Sequence, residues 1–165
     1  MRHYGIASAR LDPKVIVEHY TATPTAQAAY DIFARDEPDV ELHELPGLCS
    51  HFIVDRDGTI FQLAPLRRLC RHTVGLNDVA VGIEHVGASD SDVLDNNTQL
   101  TASLRLTAWL RCRYAISPEN VIGHAESLSS PYRHELVPAL RSQTHEDFQP
   151  ESMERYRGLL REKPC

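Results

Sequence analysis

Two short apolar runs in this chain end on a histidine: Val15-Ile16-Val17-Glu18-His19-Tyr20-Thr21 near the start and Val121-Ile122-Gly123-His124 farther on. Their valines and isoleucines are β-branched and favour strands. A buried strand that carries an imidazole to its own end holds that ring still, which is what a metal ligand requires. One histidine after a strand is more often structural. Its repetition constrains the fold, because the two rings converge only if the strands are neighbours in one sheet.

A third run, Ala80-Val81-Gly82-Ile83-Glu84-His85-Val86-Gly87, reads as a buried strand with an acid in the middle. Burying a carboxylate without a partner is costly, so Glu84 should face a cleft, a metal or a donor. Residues 50–55 and 59–63 form strands around Asp57-Gly58, a β-hairpin signal. Helices are expected at 24–34, with Thr23 as cap and Pro24 in the first turn, at 98–115 as the main core helix, and at 151–161. Residues 37–47, 89–97 and 125–148 show no sustained period and read as loops, the first two acidic. Alternating strands and helices with an early hairpin predict one α/β domain over 1–165, with a central mixed sheet of about five strands flanked by helices.

A length of 165 residues suits one domain, and a hydrophobic share of 42% supports a real core with no apolar run long enough to span a bilayer. The net charge of -6 argues against nucleic acid as a partner. Arg67, Arg68 and Arg71 read as a solvated loop. Residues 1–14 lack the charged and then apolar pattern of a leader, so the protein either stays inside or is the mature domain of an exported one. Four cysteines, Cys49, Cys70, Cys112 and Cys165, lack the close spacing of a zinc knuckle.

Sites in sheets of this kind form outside strand ends. His19 and His124 would sit there, and a third ligand from the long loop would close a zinc site that keeps one position for water. His134, His145 and Asp147 are the candidates, and ligand chemistry alone does not choose among them.

In order, Val17 to Thr21, the hairpin ending Asp57-Gly58-Thr59-Ile60, the segment from His72 to Asn77, Val81 to Gly87 and Ile122-Gly123-His124 resemble the zinc-dependent N-acetylmuramoyl-L-alanine amidases, a group that includes phage amidases and peptidoglycan recognition proteins. The resemblance spans 15–148. It implies one zinc ion per chain held by His19 and His124, with a third ligand that is Asp, Cys or His among relatives. His145 matches that position by its His-x-Asp pattern, leaving Asp147 to fix an imidazole from behind. Glu84 matches the catalytic acid, which takes a proton from water and passes it to the leaving amine. His72 and Asn77 match polar residues of the substrate groove. Some relatives carry a lysine two residues before the third ligand, where Gln143 stands here; a neutral donor offers less to a developing oxyanion.

The implied activity is hydrolysis of the amide between N-acetylmuramic acid and L-alanine. The alternatives are a binding module that does not cut, or an amidase acting on soluble muropeptides. The expected partner is peptidoglycan or a muropeptide, without membrane insertion, and a monomer is expected. Location is expected to be secreted or envelope, with the cytoplasm or a phage lysin as alternatives. If the domain is exported, Cys49 and Cys70, which flank the hairpin, are expected to form a disulfide.

Overall fold

The computed structural model describes residues 8–38, 43–163 and 165. Part of the stretch read for a leader, and residues 39–42 of the acidic loop, lie outside them.

Strand β1, Val15–Tyr20, lies inside a five-stranded sheet of order β3-β2-β4-β1-β5. It pairs in parallel with β4, Ala80–His85, and with β5, Val121–Gly123. Strand β2, Phe52–Val54, pairs in parallel with β4 and antiparallel with the edge strand β3, Ile60–Gln62, closing the expected hairpin. Interior parallel strands are covered on both faces, which is why β1 begins as an unbroken apolar run with Val15, Ile16 and Val17 fully buried. At the hairpin turn Gly58 takes φ +84°, a conformation that L side chains rarely adopt.

Helix α1, Ala26–Ala34, starts two residues later than the sequence suggested. The Thr23 hydroxyl bonds Thr21 Oγ1 at 2.8 Å, and Thr25 caps the helix by accepting from the Ala28 N–H at 3.1 Å. The acidic stretch at 89–97, read as a loop, contains a short helix, α2, Asp90–Leu94, capped by Ser89. Its buried pair, Val93 and Leu94, is too brief to show a period. Helix α3, Asn97–Tyr114, is capped by Asn96, and α4, Pro150–Arg161, buries Met153, Tyr156 and Leu160. The long loop holds two short 3-10 segments, His124–Ser129 and Pro138–Leu140.

Helices α3 and α4 cover one sheet face, where Ile16, Val81 and Ile83 meet Leu104, Leu110, Met153 and Leu160. Beside the expected apolar stripe, α3 buries polar residues four apart: Gln99, Ser103 and Thr107. Gln99 donates to the carbonyls of Val54 and Val86 at 3.0 Å each, satisfying the backbone where β2 and β4 end. Thr107 Oγ1 lies 2.8 Å from Glu18 Oε1, and the Tyr156 hydroxyl bridges Thr107 and Ser103 at 2.9 and 2.6 Å. Two disulfides tie the chain: the expected Cys49–Cys70, and Cys112–Cys165, which joins α3 to the last residue.

Candidate metal centre and groove

Parallel pairing of β1 with β5 sets Glu18 opposite Gly123, so the next residues, His19 and His124, emerge at the same, carboxyl end of these strands. Their ring centroids are 4.7 Å apart. A third group arrives from the loop before α4. A Cβ on Gly123 would collide with the Phe148 carbonyl, so only glycine lets this loop lie directly against β5. The Asp90 carboxylate at the head of α2 accepts the Phe148 and Gln149 N–H groups at 2.8 Å each. The Ala125 N–H donates to the Asp147 carbonyl at 3.1 Å, and the Thr144 hydroxyl donates to the His124 carbonyl at 2.8 Å.

This seating directs the Asp147 side chain between the two rings. Its oxygens lie 2.9 Å from His19 Nδ1 and 3.4 Å from His124 Nδ1. Among the described residues, His19, His124 and Asp147 form the group that could hold a metal ion, with one candidate ligand atom from each all within 4.8 Å of one another. The sequence pattern pointed to His145 instead. That ring lies 4.8 Å from the His124 ring, tilted 39° to it, at the groove and is not part of the group. The backbone lying against Gly123 is at 147–148, and it is therefore Asp147 that reaches inward. The remaining candidate, His134, is tied by its N–H to the Gly75 carbonyl, away from the groove lining.

Glu84 is the cross-strand partner of His19 and opens onto the groove. Burial, reinforced by the nearby negative charge of Asp147, pushes its carboxyl up to about 8. Burial alone would raise Asp147 too, but hydrogen bonds from His124 and His19 hold it well below the ordinary carboxylate range. Burial pushes His19 down to about 4 against the pull of Asp147.

The far side of His19 is also engaged. Its Nε2 lies 3.1 Å from His72 Nδ1 and 3.3 Å from Thr73 Oγ1. His72 Nε2 is 3.2 Å from the Ala80 carbonyl, an acceptor only, so that nitrogen carries the proton and His72 Nδ1 is left as an acceptor. A neutral His19 therefore has one N–H for two acceptors, the Asp147 carboxylate and His72 Nδ1. Two imidazole nitrogens and a carboxylate oxygen, one from each residue and all within 4.8 Å of one another, suit a zinc ion that keeps a fourth position open.

Asn77 lies behind the wall. Its Oδ1 accepts the N–H groups of His72 and Thr73 at 2.9 and 2.8 Å, fastening the turn that presents His72. His72 lines the groove, whereas neither Asn77 nor Gln143 does. The groove, a cavity of about 270 Å³, is walled by Ile32 and Phe33 of α1 and by Leu48. The segment carrying Leu48 is fixed by Cys49–Cys70 and by Arg71, whose Nη1 donates to the carbonyls of Glu44 and Pro46 at 3.1 and 2.7 Å. Arg71 is thus a buried brace at 7% exposure, not part of a solvated loop. The sequence also hid Glu18 and His85, fully buried beneath the site: His85 Nδ1 donates to the His19 carbonyl at 2.8 Å, and Ser103 lies 2.7 Å from His85 Nε2.

Two imidazoles at the ends of neighbouring parallel strands and a loop carboxylate between them form a group that could hold a metal ion, with a second carboxyl, Glu84, lining the same groove, a donor set that a metallohydrolase would use. A sequence profile described as N-acetylmuramoyl-L-alanine amidase matches residues 9–160, and the chain belongs to that family. Its fold is similar to the endolysin amidase LysCS from Clostridium intestinale, at a TM-score of 0.64 and 23% identity over 93% of this chain and 87% of that one. LysC of the same species gives 0.61 and 24%, over 90% and 87%. The amidase AmiD from E. coli, solved with the substrate anhydro-N-acetylmuramic acid-L-Ala-D-gamma-Glu-L-Lys, gives 0.56 and 26%, over 73% of this chain and 51% of that one. No significant match is found among curated protein sequences.

Proposed function

We propose that this peptidoglycan amidase cuts the bond between the lactyl carbonyl of N-acetylmuramic acid and the amine of L-alanine with one zinc ion held by His19, His124 and Asp147. The observation that carries the reading is the Asp147 carboxylate seated between two imidazoles, opposite Glu84. A zinc ion there supplies Lewis acidity, polarising the amide carbonyl and acidifying water. Glu84 accepts a proton from the attacking water and returns it to the departing nitrogen; burial, which lifts its carboxyl above the ordinary carboxylate range, makes it a stronger base than an exposed glutamate. His145 stands two residues before Asp147, the spacing at which some relatives carry a lysine, and its ring borders the groove. It serves as the donor to the developing oxyanion, in place of the neutral Gln143. The apolar wall of Ile32, Phe33 and Leu48 receives the stem peptide.

Two disulfides favour an oxidising compartment, so we place the enzyme outside the cytoplasm, acting on wall polymer. The test measures zinc per chain and release of stem peptide from intact sacculi beside soluble muropeptides. About one zinc, removable by chelation with loss of hydrolysis, is expected. Glu84→Gln should keep the zinc and lower kcat roughly 10²–10⁴-fold. Full activity in the chelated enzyme, or a wild-type rate for Glu84→Gln, would overturn the mechanism; activity on muropeptides alone would move the enzyme to recycling.

A further inference from the structure

His19 has two nitrogens and, once it ligates a metal, must keep its only proton on the one facing away. The imidazoles around it show how that choice is made. Each is oriented by a backbone carbonyl: His51 Nε2 by Arg68 at 2.9 Å, His85 Nδ1 by His19 at 2.8 Å, His72 Nε2 by Ala80 at 3.2 Å. A carbonyl only accepts, so in each ring that nitrogen is the donor and the other is the acceptor. His51 uses its free nitrogen to accept the Gly82 N–H at 3.1 Å. His72 aims its free nitrogen at His19 Nε2, 3.1 Å away.

We propose that His72 is a positioning residue that dedicates His19 to the metal: with Nε2–H anchored on the Ala80 carbonyl, His72 Nδ1 accepts the Nε2–H of His19 and leaves His19 Nδ1 bare toward Asp147. This rests on the reading of His19 as a zinc ligand. The surroundings hold His72 to that task. A Cβ on Gly82 would lie 2.7 Å from His72 Cγ, so the glycine in Val81-Gly82-Ile83-Glu84 makes room for the ring. Asn77 clamps the His72 and Thr73 amides from behind, and the Thr73 hydroxyl, 2.9 Å from His72 Nδ1, gives the His19 N–H a second acceptor at 3.3 Å. Partners that orient a ligating histidine through its other nitrogen typically contribute 10–100-fold to metal affinity.

The test compares zinc affinity, by competition with a chromogenic chelator, in wild type, His72→Leu and His72→Asn. Asparagine places an amide oxygen near the former Nδ1 and can still accept from His19; leucine cannot. His72→Leu should bind zinc roughly 10–100-fold more weakly, with His72→Asn between it and wild type. Nitrogen-15 NMR of the zinc-loaded wild type should show the His19 proton on Nε2, hydrogen-bonded to His72 Nδ1, whatever the variants' folding. Equal affinity for wild type and His72→Leu, an Asn variant as weak as Leu, or a His19 proton on Nδ1 would each overturn the inference while leaving the zinc reading intact. A wild type that binds no zinc would instead sink the zinc reading beneath it.

Discussion

The Phe148 carbonyl occupies the space that a side chain on Gly123 would need. That contact joins β5 to the loop before α4, and through it the end of one strand carries His124 while its neighbour in space carries Asp147.

Gly123→Ala should therefore act on the metal before it acts on the fold. The added methyl pushes the 147–148 backbone outward and separates Asp147 from both rings. We expect zinc affinity to drop by about 10-fold or more, on the scale of losing a ligand's support, with a smaller change in the thermal midpoint of the metal-free protein. Chelator competition beside a melting curve checks it; unchanged zinc affinity would show that the loop relaxes without cost.

Asp147 and His145 are two residues apart and should fail differently. Asp147→Ala should lose zinc outright. His145→Ala should keep it and lose kcat by about 10²-fold, the usual cost of removing an oxyanion donor, and His145→Lys should recover part of the rate. Zinc loss in His145→Ala with retention in Asp147→Ala would restore the ligand set first read from the sequence.

Stability of the metal-free protein should fall as pH rises from about 6.5 to 8. Burial pushes Glu18 and Glu84 from 4.5 up to about 8, so across that window the folded chain keeps protons that the unfolded chain has released. His19 and His85, pushed by burial from 6.5 down to about 4, work in the opposite direction, raising stability as pH rises between those values. Above 6.5 their effect is complete and the carboxyls act alone. Glu18 should account for about 1–2 kcal/mol of the decline, and Glu18→Gln should remove that share. Urea unfolding at both pH values, with chelator present, reads it directly; a stability that climbs over this window would refute the assignment.

Cys112–Cys165 closes a longer loop than Cys49–Cys70, with separations of 53 and 21 residues. Loop-entropy scaling gives about 4 kcal/mol for the first and about 3 for the second. Cys112→Ala should thus lower stability at least as much as Cys70→Ala, while the groove wall carrying Leu48 loosens only in Cys70→Ala. Denaturant midpoints and KM for a muropeptide separate the two effects.

Much of the architecture was legible because it rests on local chemistry. β-branched runs wrote the strands of a sheet buried on both faces, Asp57-Gly58 wrote the hairpin, and an acid inside an apolar run marked Glu84 for the groove. Helix starts were less legible: Thr23, Pro24 and Thr25 all suit the head of α1, and only the bond between Thr23 and Thr21 hydroxyls leaves the cap to Thr25. The polar stripe of α3 was hidden because Gln99, Ser103 and Thr107 suit a wet helix face until the carbonyls of Val54 and Val86 meet the first and His85, Glu18 and Tyr156 meet the other two.

By itself the sequence determined that two strands would each end in an imidazole and that an acid would face them, since strand propensity and burial cost act within a few residues. Only the tertiary structure decided which loop side chain joins those rings. His145 and Asp147 share an aperiodic segment, and the choice between them depends on Gly123, Phe148 and Asp90, contacts between parts of the chain that no local rule connects.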